Sequence, residues 1–185
     1  MTEYKYIFKF GVCYNRFYEM KRDREFIEFE KDTFINISKL EEMLITKEDL
    51  EKYSKQCINL ANGNYFNLKY LKKLGFESDL DDLGFEDMFY ESIIQFTKGV
   101  KTVNFANTKV FKYTNDPFSR SIFLEDIISR YKKISSSDLL DLLKNDYGIE
   151  TDLSNIKYLL QNSSVYFNEI MDEFYQNYQL FFEEV

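Results

Sequence analysis

Between residues 38 and 113 the spacing of the apolar side chains changes once, and that change limits the folds open to the chain. Up to Ile94 the spacing is helical. Ser38 with Glu41 makes a capping-box pattern, and Thr46 with Asp49 makes an acidic version of it. Leu50, Tyr53, Cys57 and Leu60 follow on one stripe of a helix running to about Asn62, and Gly63 closes it. An extended pair, Tyr65-Phe66, leads into a helix from Leu68 to about Leu74, ended by Gly75 at the left-handed cap position. A third helix follows Gly84 and carries Phe85, Met88, Phe89, Ile93 and Ile94. From Thr102 the period falls to two. Thr102-Val103-Asn104-Phe105 and Val110-Phe111-Lys112-Tyr113 flank a polar turn at Ala106-Asn107-Thr108. Three helices and a terminal hairpin predict a winged helix over residues 38–114.

Asn115-Asp116-Pro117 is the only proline-marked break and the expected domain boundary. Beyond it the helical pattern returns. Phe118 to Tyr131 carries Ile122, Phe123, Ile127 and Ile128. Ser135 with Asp138 caps a helix bearing Leu139, Leu140, Leu142 and Leu143, closed near Gly148. Thr151 or Asp152 opens another with Leu153, Ile156, Leu159 and Leu160. From Ser164 the pattern fits two structures, a helix through Phe167, Phe174, Tyr178 and Phe182 or a short wing at 165–175. The two halves match only as patterns of elements.

Ahead of all this, Tyr4, Tyr6, Phe8, Phe10 and Val12 alternate, then Phe17, then Ile27 and Phe29, with polar breaks at Asn15-Arg16 and Lys21-Arg22-Asp23. This predicts a small antiparallel meander over 3–31. The expected class is α+β: a β-rich segment over 1–37, a winged helix over 38–114, and a helical or winged-helix domain over 118–185.

The composition removes several kinds of chemistry. Histidine is absent, which excludes an imidazole base, a Ser-His-Asp or Cys-His nucleophile, and a histidine-ligated metal. Cys13 and Cys57 are too few for a disulfide framework or a four-thiolate zinc site, and they read as small hydrophobes. No phosphate-binding glycine loop, nucleophile elbow or Cys-x-x-Cys occurs. The pair Glu19-x-Lys21 has the spacing of a metal-nuclease remnant but no aspartate upstream to complete it. The expectation is a chain without enzymatic activity, cofactor or metal. No apolar run reaches a bilayer span, and the start is not a signal peptide, so a cytoplasmic protein is expected.

Charge gives the strongest functional hint. The chain carries 24 Lys and Arg against 32 Asp and Glu, a net charge of −8 that draws it to neither nucleic acid nor anionic lipid. Glu77 to Glu91 contains Glu77, Asp79, Asp81, Asp82, Glu86, Asp87 and Glu91 and no base. Ser92 to Asn115 contains Lys98, Lys101, Lys109 and Lys112 and no acid. A groove-reading third helix must approach phosphates, which carboxylates oppose. Asp79, Asp81, Asp82, Glu86, Asp87 and Glu91 are therefore expected to meet a protein partner with a basic surface. Competing readings are acids that favour a helix N-terminus or hold a hard cation. Lys69, Lys72, Lys73, Lys98, Lys101, Lys109 and Lys112 supply weak contacts to a nucleic-acid backbone, or simply a solvated face. The aromatic tail from Tyr166 to Phe182, interleaved with Glu169, Asp172, Glu173 and Glu183, reads as core or as an amphipathic docking surface.

One stretch carries a family likeness. Tyr65-Phe66-x-Leu68-x-x-Leu71-x-x-x-Gly75-Phe76, then Leu80-Asp81-Asp82-Leu83-Gly84-Phe85-Glu86-Asp87-Met88-Phe89-Tyr90, Asp146-Tyr147-Gly148-Ile149 and Tyr166-Phe167-Asn168-Glu169-Ile170-Met171, form the pattern. Over about residues 38–185 the chain resembles the C-terminal segment of sigma-factor-like helix-turn-helix proteins of low-GC Gram-positive bacteria, itself similar to the HARE-type winged helix. Met88 stands where that pattern has Trp and Glu86 where it has Asp. The resemblance implies a non-catalytic interaction protein in a DNA-processing or transcription setting, carried by a mobile element. Two alternatives fit the same charges. One is an acidic inhibitor of a bacterial nucleic-acid enzyme, of anti-CRISPR or other anti-defence type. The other is a DNA-binding transcriptional regulator.

Overall fold

Two alternating segments joined by a pair of turn-forming residues make a hairpin, and one closes at Phe26–Asn36 in the computed structural model, which describes residues 11–106 and 108–184. The described chain mixes helices with short antiparallel strands, an α+β architecture. Its contacts fall into two units. Unit 1 is the chain up to Gly63 with Leu74–Val100, and unit 2 is Asn64–Lys73 with the chain from Lys101 onward. Residues 64–73 and 101–113, expected inside one 38–114 module, thus pack with the C-terminal half.

The described part of unit 1 opens with helix α1, Gly11–Arg22, where the alternation predicts strands. The expected break at Asn15-Arg16 lies mid-helix, and the remainder of that alternation, Tyr4 to Phe10, lies outside the described residues. Phe17, Met20 and Lys21, spaced by three and four, form the less exposed side, and no β-branched run follows Val12. Strands β1, Phe26–Glu30, and β2, Thr33–Asn36, pair Ile27 with Ile35 and Glu28 with Phe34. Asp32 takes the left-handed turn at φ +59°.

Helix α2, Ile37–Glu41, starts two residues earlier than the Ser38–Glu41 pattern predicts. Strand β2 runs straight into it, so the last extended residue, Asn36, accepts from the Ser38 N–H at 2.9 Å and takes the cap. Helix α3, Lys47–Ala61, starts as expected on Thr46. Thr46 Oγ1 accepts from the Asp49 N–H, and Asp49 accepts from the Thr46 N–H and hydroxyl. Leu50, Tyr53 and Cys57 are buried as the stripe predicts, while Leu60 is exposed and Ala61 takes its place.

The Thr46 N–H, and after it the Thr46 hydroxyl, hold the Asp49 carboxyl below its ordinary value. A lowered folded value stabilises above the unfolded value of about 3.9 and is lost as pH falls through the folded one. Asp49→Asn is expected to cost about 1 kcal/mol at neutral pH and to converge on wild type at acid pH. Urea melts at two pH values read this difference.

A 3-10 turn, Asp79–Leu83, precedes helix α5, Asp87–Gln95. Helix α5 packs on α3 and on β1, burying Phe89, Tyr90, Ser92, Ile93 and Ile94. The Glu28 N–H donates to Ser92 Oγ at 3.3 Å across that contact.

In unit 2, Tyr65-Phe66 is extended as expected, and Phe66 bridges Phe111. Helix α4 is Leu68–Lys73, and strands β3, Val100–Asn104, and β4, Lys109–Tyr113, form the expected hairpin. Helix α6, Arg120–Tyr131, starts on Ser119. Strand β5, Lys133–Ser135, was not legible, since Ile134 is its only apolar residue. Helix α7, Ser136–Tyr147, is capped by Ser135 and stopped by Gly148 at φ +67°. Helix α8, Leu153–Leu160, starts on Asp152. Strands β6, Tyr166–Asn168, and β7, Glu173–Tyr175, complete an antiparallel sheet ordered β5-β7-β6, and helix α9, Tyr178–Glu184, follows. The tail is thus the short wing of the second reading, and a helix forms only beyond it, from Tyr178, so that Phe167 and Phe174 lie on strands and not on one helical stripe. Phe123, Leu124, Ile127, Ile128, Leu139, Leu143, Tyr147, Ile156 and Phe174 fill the core with Tyr65.

Candidate partner-binding surface

The six acids expected to meet a partner all fall in unit 1, and they divide by what they touch. Asp81 is spent on structure. It accepts from the Ser78 N–H at 3.0 Å, closing the cap of the 3-10 turn, and from the Tyr53 hydroxyl at 3.3 Å. Glu91 is half-buried on α5. Asp87 opens that helix and is exposed. Asp79, Asp82 and Glu86 are exposed too, and among the described residues none of the three enters an ion pair or a side-chain hydrogen bond. Glu86 holds the N-cap position of α5 without capping it. These carboxylates therefore face water.

Asp79 also rims a hollow of about 260 Å³ whose floor includes Ile45, Tyr53 and Leu80. Leu44, in left-handed backbone at φ +63°, stands beside it, with Asp49 and Lys52 on the rim. Gln56 and Ser78 complete a mixed lining, and of the two carboxylates Asp49 already accepts from Thr46 while Asp79 has no such partner among the described residues. Beneath it, burial pushes the Tyr53 phenol and the Cys57 thiol far above their ordinary ranges. A thiol held protonated is no nucleophile. In a Cys13→Ser background, Cys57 is expected to resist Ellman's reagent at pH 8 until denaturant is added, and fast native labelling would contradict its burial.

The seven lysines are mostly engaged within their own chain. Lys69 Nζ donates to the Lys144 carbonyl at 2.7 Å, at the end of α7, and Lys73 pairs with Asp146, which holds its ammonium above the ordinary value. Lys101 donates to the carbonyls of Asn115 and Asp116 at 3.0 and 2.7 Å. Lys112 donates to the Tyr65 hydroxyl at 3.1 Å, pairs with Asp126 at 3.4 Å and lies 4.3 Å from the Tyr65 ring centre. Lys72 and Lys98 are exposed and Lys109 is half-buried. Lys98 lies in unit 1, the other six in unit 2.

Sequence reasoning missed what covers α5. The hairpin lies on it, and Arg24, at φ +55° and 8% exposed, fastens the junction. Its guanidinium donates to Thr97 Oγ1 at 2.9 Å, Ser54 Oγ at 3.2 Å and the Ile93 carbonyl at 3.4 Å. Glu51 lies 3.6 Å away. Burial lowers the Arg24 pKa, which Glu51 partly opposes. Nothing in Lys21-Arg22-Asp23-Arg24 distinguishes this arginine from its exposed neighbours Arg22 and Asp23. Helix α5 therefore buries one face in unit 1 and keeps Asp87 exposed and Met88, Glu91 and Gln95 half-buried.

Among the described residues no three Asp, Glu or Cys side chains gather as a metal site, and no helix is long and apolar enough to cross a membrane. No protein-family model, characterised protein or solved structure matches the chain.

Proposed function

We propose that the chain is a non-catalytic interaction protein that binds a partner polypeptide with a basic surface in a DNA-processing or transcription setting, through Asp79, Asp82 and Glu86. The observation that carries this reading is the exposure of these three carboxylates, which have no ion-pair partner among the described residues, with Asp79 also lining the hollow at Leu80. Unit 1 holds 12 Lys and Arg against 19 Asp and Glu, and unit 2 holds 12 against 13, so the field a basic partner would follow belongs to unit 1. Nucleic-acid contacts are secondary in this reading, because Lys69, Lys73, Lys101 and Lys112 are spent on internal partners.

A winged-helix scaffold is proposed for unit 2, in keeping with the resemblance to sigma-factor-like and HARE-type proteins. What supports it is the order of its elements. Helix, strand, helix, helix, strand, strand runs α6-β5-α7-α8-β6-β7, with β5 and β6 both paired to β7.

Capture from nuclease-treated extract tests the function. Wild type is expected to retain a protein that Asp79→Lys/Asp82→Lys/Glu86→Lys loses at least tenfold, with no change in circular dichroism. Loss of all captured material on nuclease treatment would contradict the reading. If the retained protein is a nucleic-acid enzyme that DNA displaces from the chain, the role is inhibition, which the excess of acids in unit 1 favours as the second reading.

A further inference from the structure

In unit 1 a leucine stands where the backbone favours glycine. Helix α2 closes through two hydrogen bonds, from the Ile45 N–H to the Leu40 carbonyl and from the Leu44 N–H to the Glu41 carbonyl, each at 2.9 Å. In this closure Leu44 takes left-handed backbone at φ +63°, where a Cβ is crowded and Gly or Asn is the ordinary occupant. Leu40 and Ile45 bury their side chains and secure the turn. Leu44 does not: it is 89% exposed, and Met43 beside it is 48% exposed. A glycine at this position would close the same turn with less strain. The leucine side chain thus gives the fold little and offers an aliphatic group to whatever meets the surface.

Leu44 and Asp79 line the same hollow, so an aliphatic side chain and a carboxylate share one opening. Asp79 has no ion-pair partner among the described residues, and neither has the exposed Glu41, three positions before Leu44. The one cation on the rim, Lys52, already favours the charge of Asp49. We propose that this surface docks a partner segment in which an aliphatic side chain lies among lysines or arginines, the aliphatic group against Leu44 and Met43 and a cation at Asp79. This rests on the reading of the chain as a binder of basic polypeptides, and it adds the apolar half of what is recognised. The chemistry selects the class of partner. A nucleic acid would bring phosphates toward Asp79 and Glu41 and leave Leu44 in water. An anionic bilayer would cover Leu44 but meet the same repulsion at its headgroups. A polypeptide joins cation and aliphatic group within a few bonds. Because the turn is already closed, seating a partner on it costs little conformational entropy.

Fluorescence anisotropy of the full chain with a labelled synthetic peptide of leucine and lysine tests this, against the same peptide with serine at every leucine. Wild type is expected to bind the leucine peptide about tenfold more tightly than the serine peptide. Leu44→Gly is expected to abolish that preference without lowering the melting temperature, since glycine suits left-handed backbone. A merely structural leucine would show the opposite, a lower melting temperature with the preference intact. Leu44→Met, which restores an aliphatic side chain, should restore the preference. Asp79→Lys/Asp82→Lys/Glu86→Lys should weaken both peptides alike. Equal binding of the two peptides by wild type, or a preference that survives Leu44→Gly, overturns the proposal while the acidic reading stands on the triple variant. Peptide binding indifferent to the triple substitution overturns the acidic reading itself, and failure of wild type to bind either peptide overturns both.

Discussion

Arg24→Ala is expected to destabilise unit 1 by about 3 kcal/mol, while Arg24→Met costs only about 1 kcal/mol. The difference separates two things the side chain does. Alanine removes the donors to Thr97, Ser54 and the Ile93 carbonyl and also leaves a cavity where the stem lay. Methionine removes the donors but keeps the packing. Losing the donors alone is cheap. Ser54 Oγ still donates to the Leu50 carbonyl at 3.1 Å, and Thr97 Oγ1 still donates to the Ile93 carbonyl at 3.0 Å. The guanidinium was also costly to bury, and its Nε has no hydrogen-bond partner among the described residues. Urea unfolding followed by circular dichroism reads both variants. Equal losses for alanine and methionine would mean that the charge, not the stem, secures the hairpin on α5.

Phe123→Ala is expected to be the most damaging single change in unit 2, at about 3–5 kcal/mol. The ring is fully buried and meets three others edge-on or tilted, Tyr65 at 5.0 Å, Tyr147 at 5.2 Å and Phe105 at 5.7 Å. Its loss opens a void and removes aromatic contacts at once. Tyr65 and Tyr147 are themselves restrained. Tyr65 donates to Asp126, and the Tyr147 ring stacks on Tyr70 at 5.2 Å, so neither ring is free to fill the void. Phe123→Leu, which refills most of the space, should recover more than half of the loss in the same unfolding experiment.

Most elements were legible because they rest on local chemistry. Thr46, Ser119, Ser135 and Asp152 begin helices where a side-chain acceptor can meet a free N–H, and Gly148 ends one where left-handed backbone is needed. Helix α1 was misread because alternation and helical spacing coincide over a few residues when aromatic and polar side chains are mixed. Strand β5 was invisible for a different reason. It exists because β7 supplies its partner, and three residues with one apolar member carry no period. Of the candidate site, the acids were legible as a charge run. That Asp81 turns inward onto Tyr53 and Ser78 was not, because it depends on contacts 28 residues away as well as three.

The claim on which the functional account rests is that the acidic segment before α5 meets a polypeptide, not a polynucleotide. A photo-crosslinking residue placed at Asp82, which is exposed and enters no side-chain hydrogen bond or ion pair among the described residues, tests it directly. In native cell extract the account predicts an adduct that survives nuclease and disappears on protease treatment. An adduct destroyed by nuclease, or irradiated protein that forms none at Asp82, would contradict it.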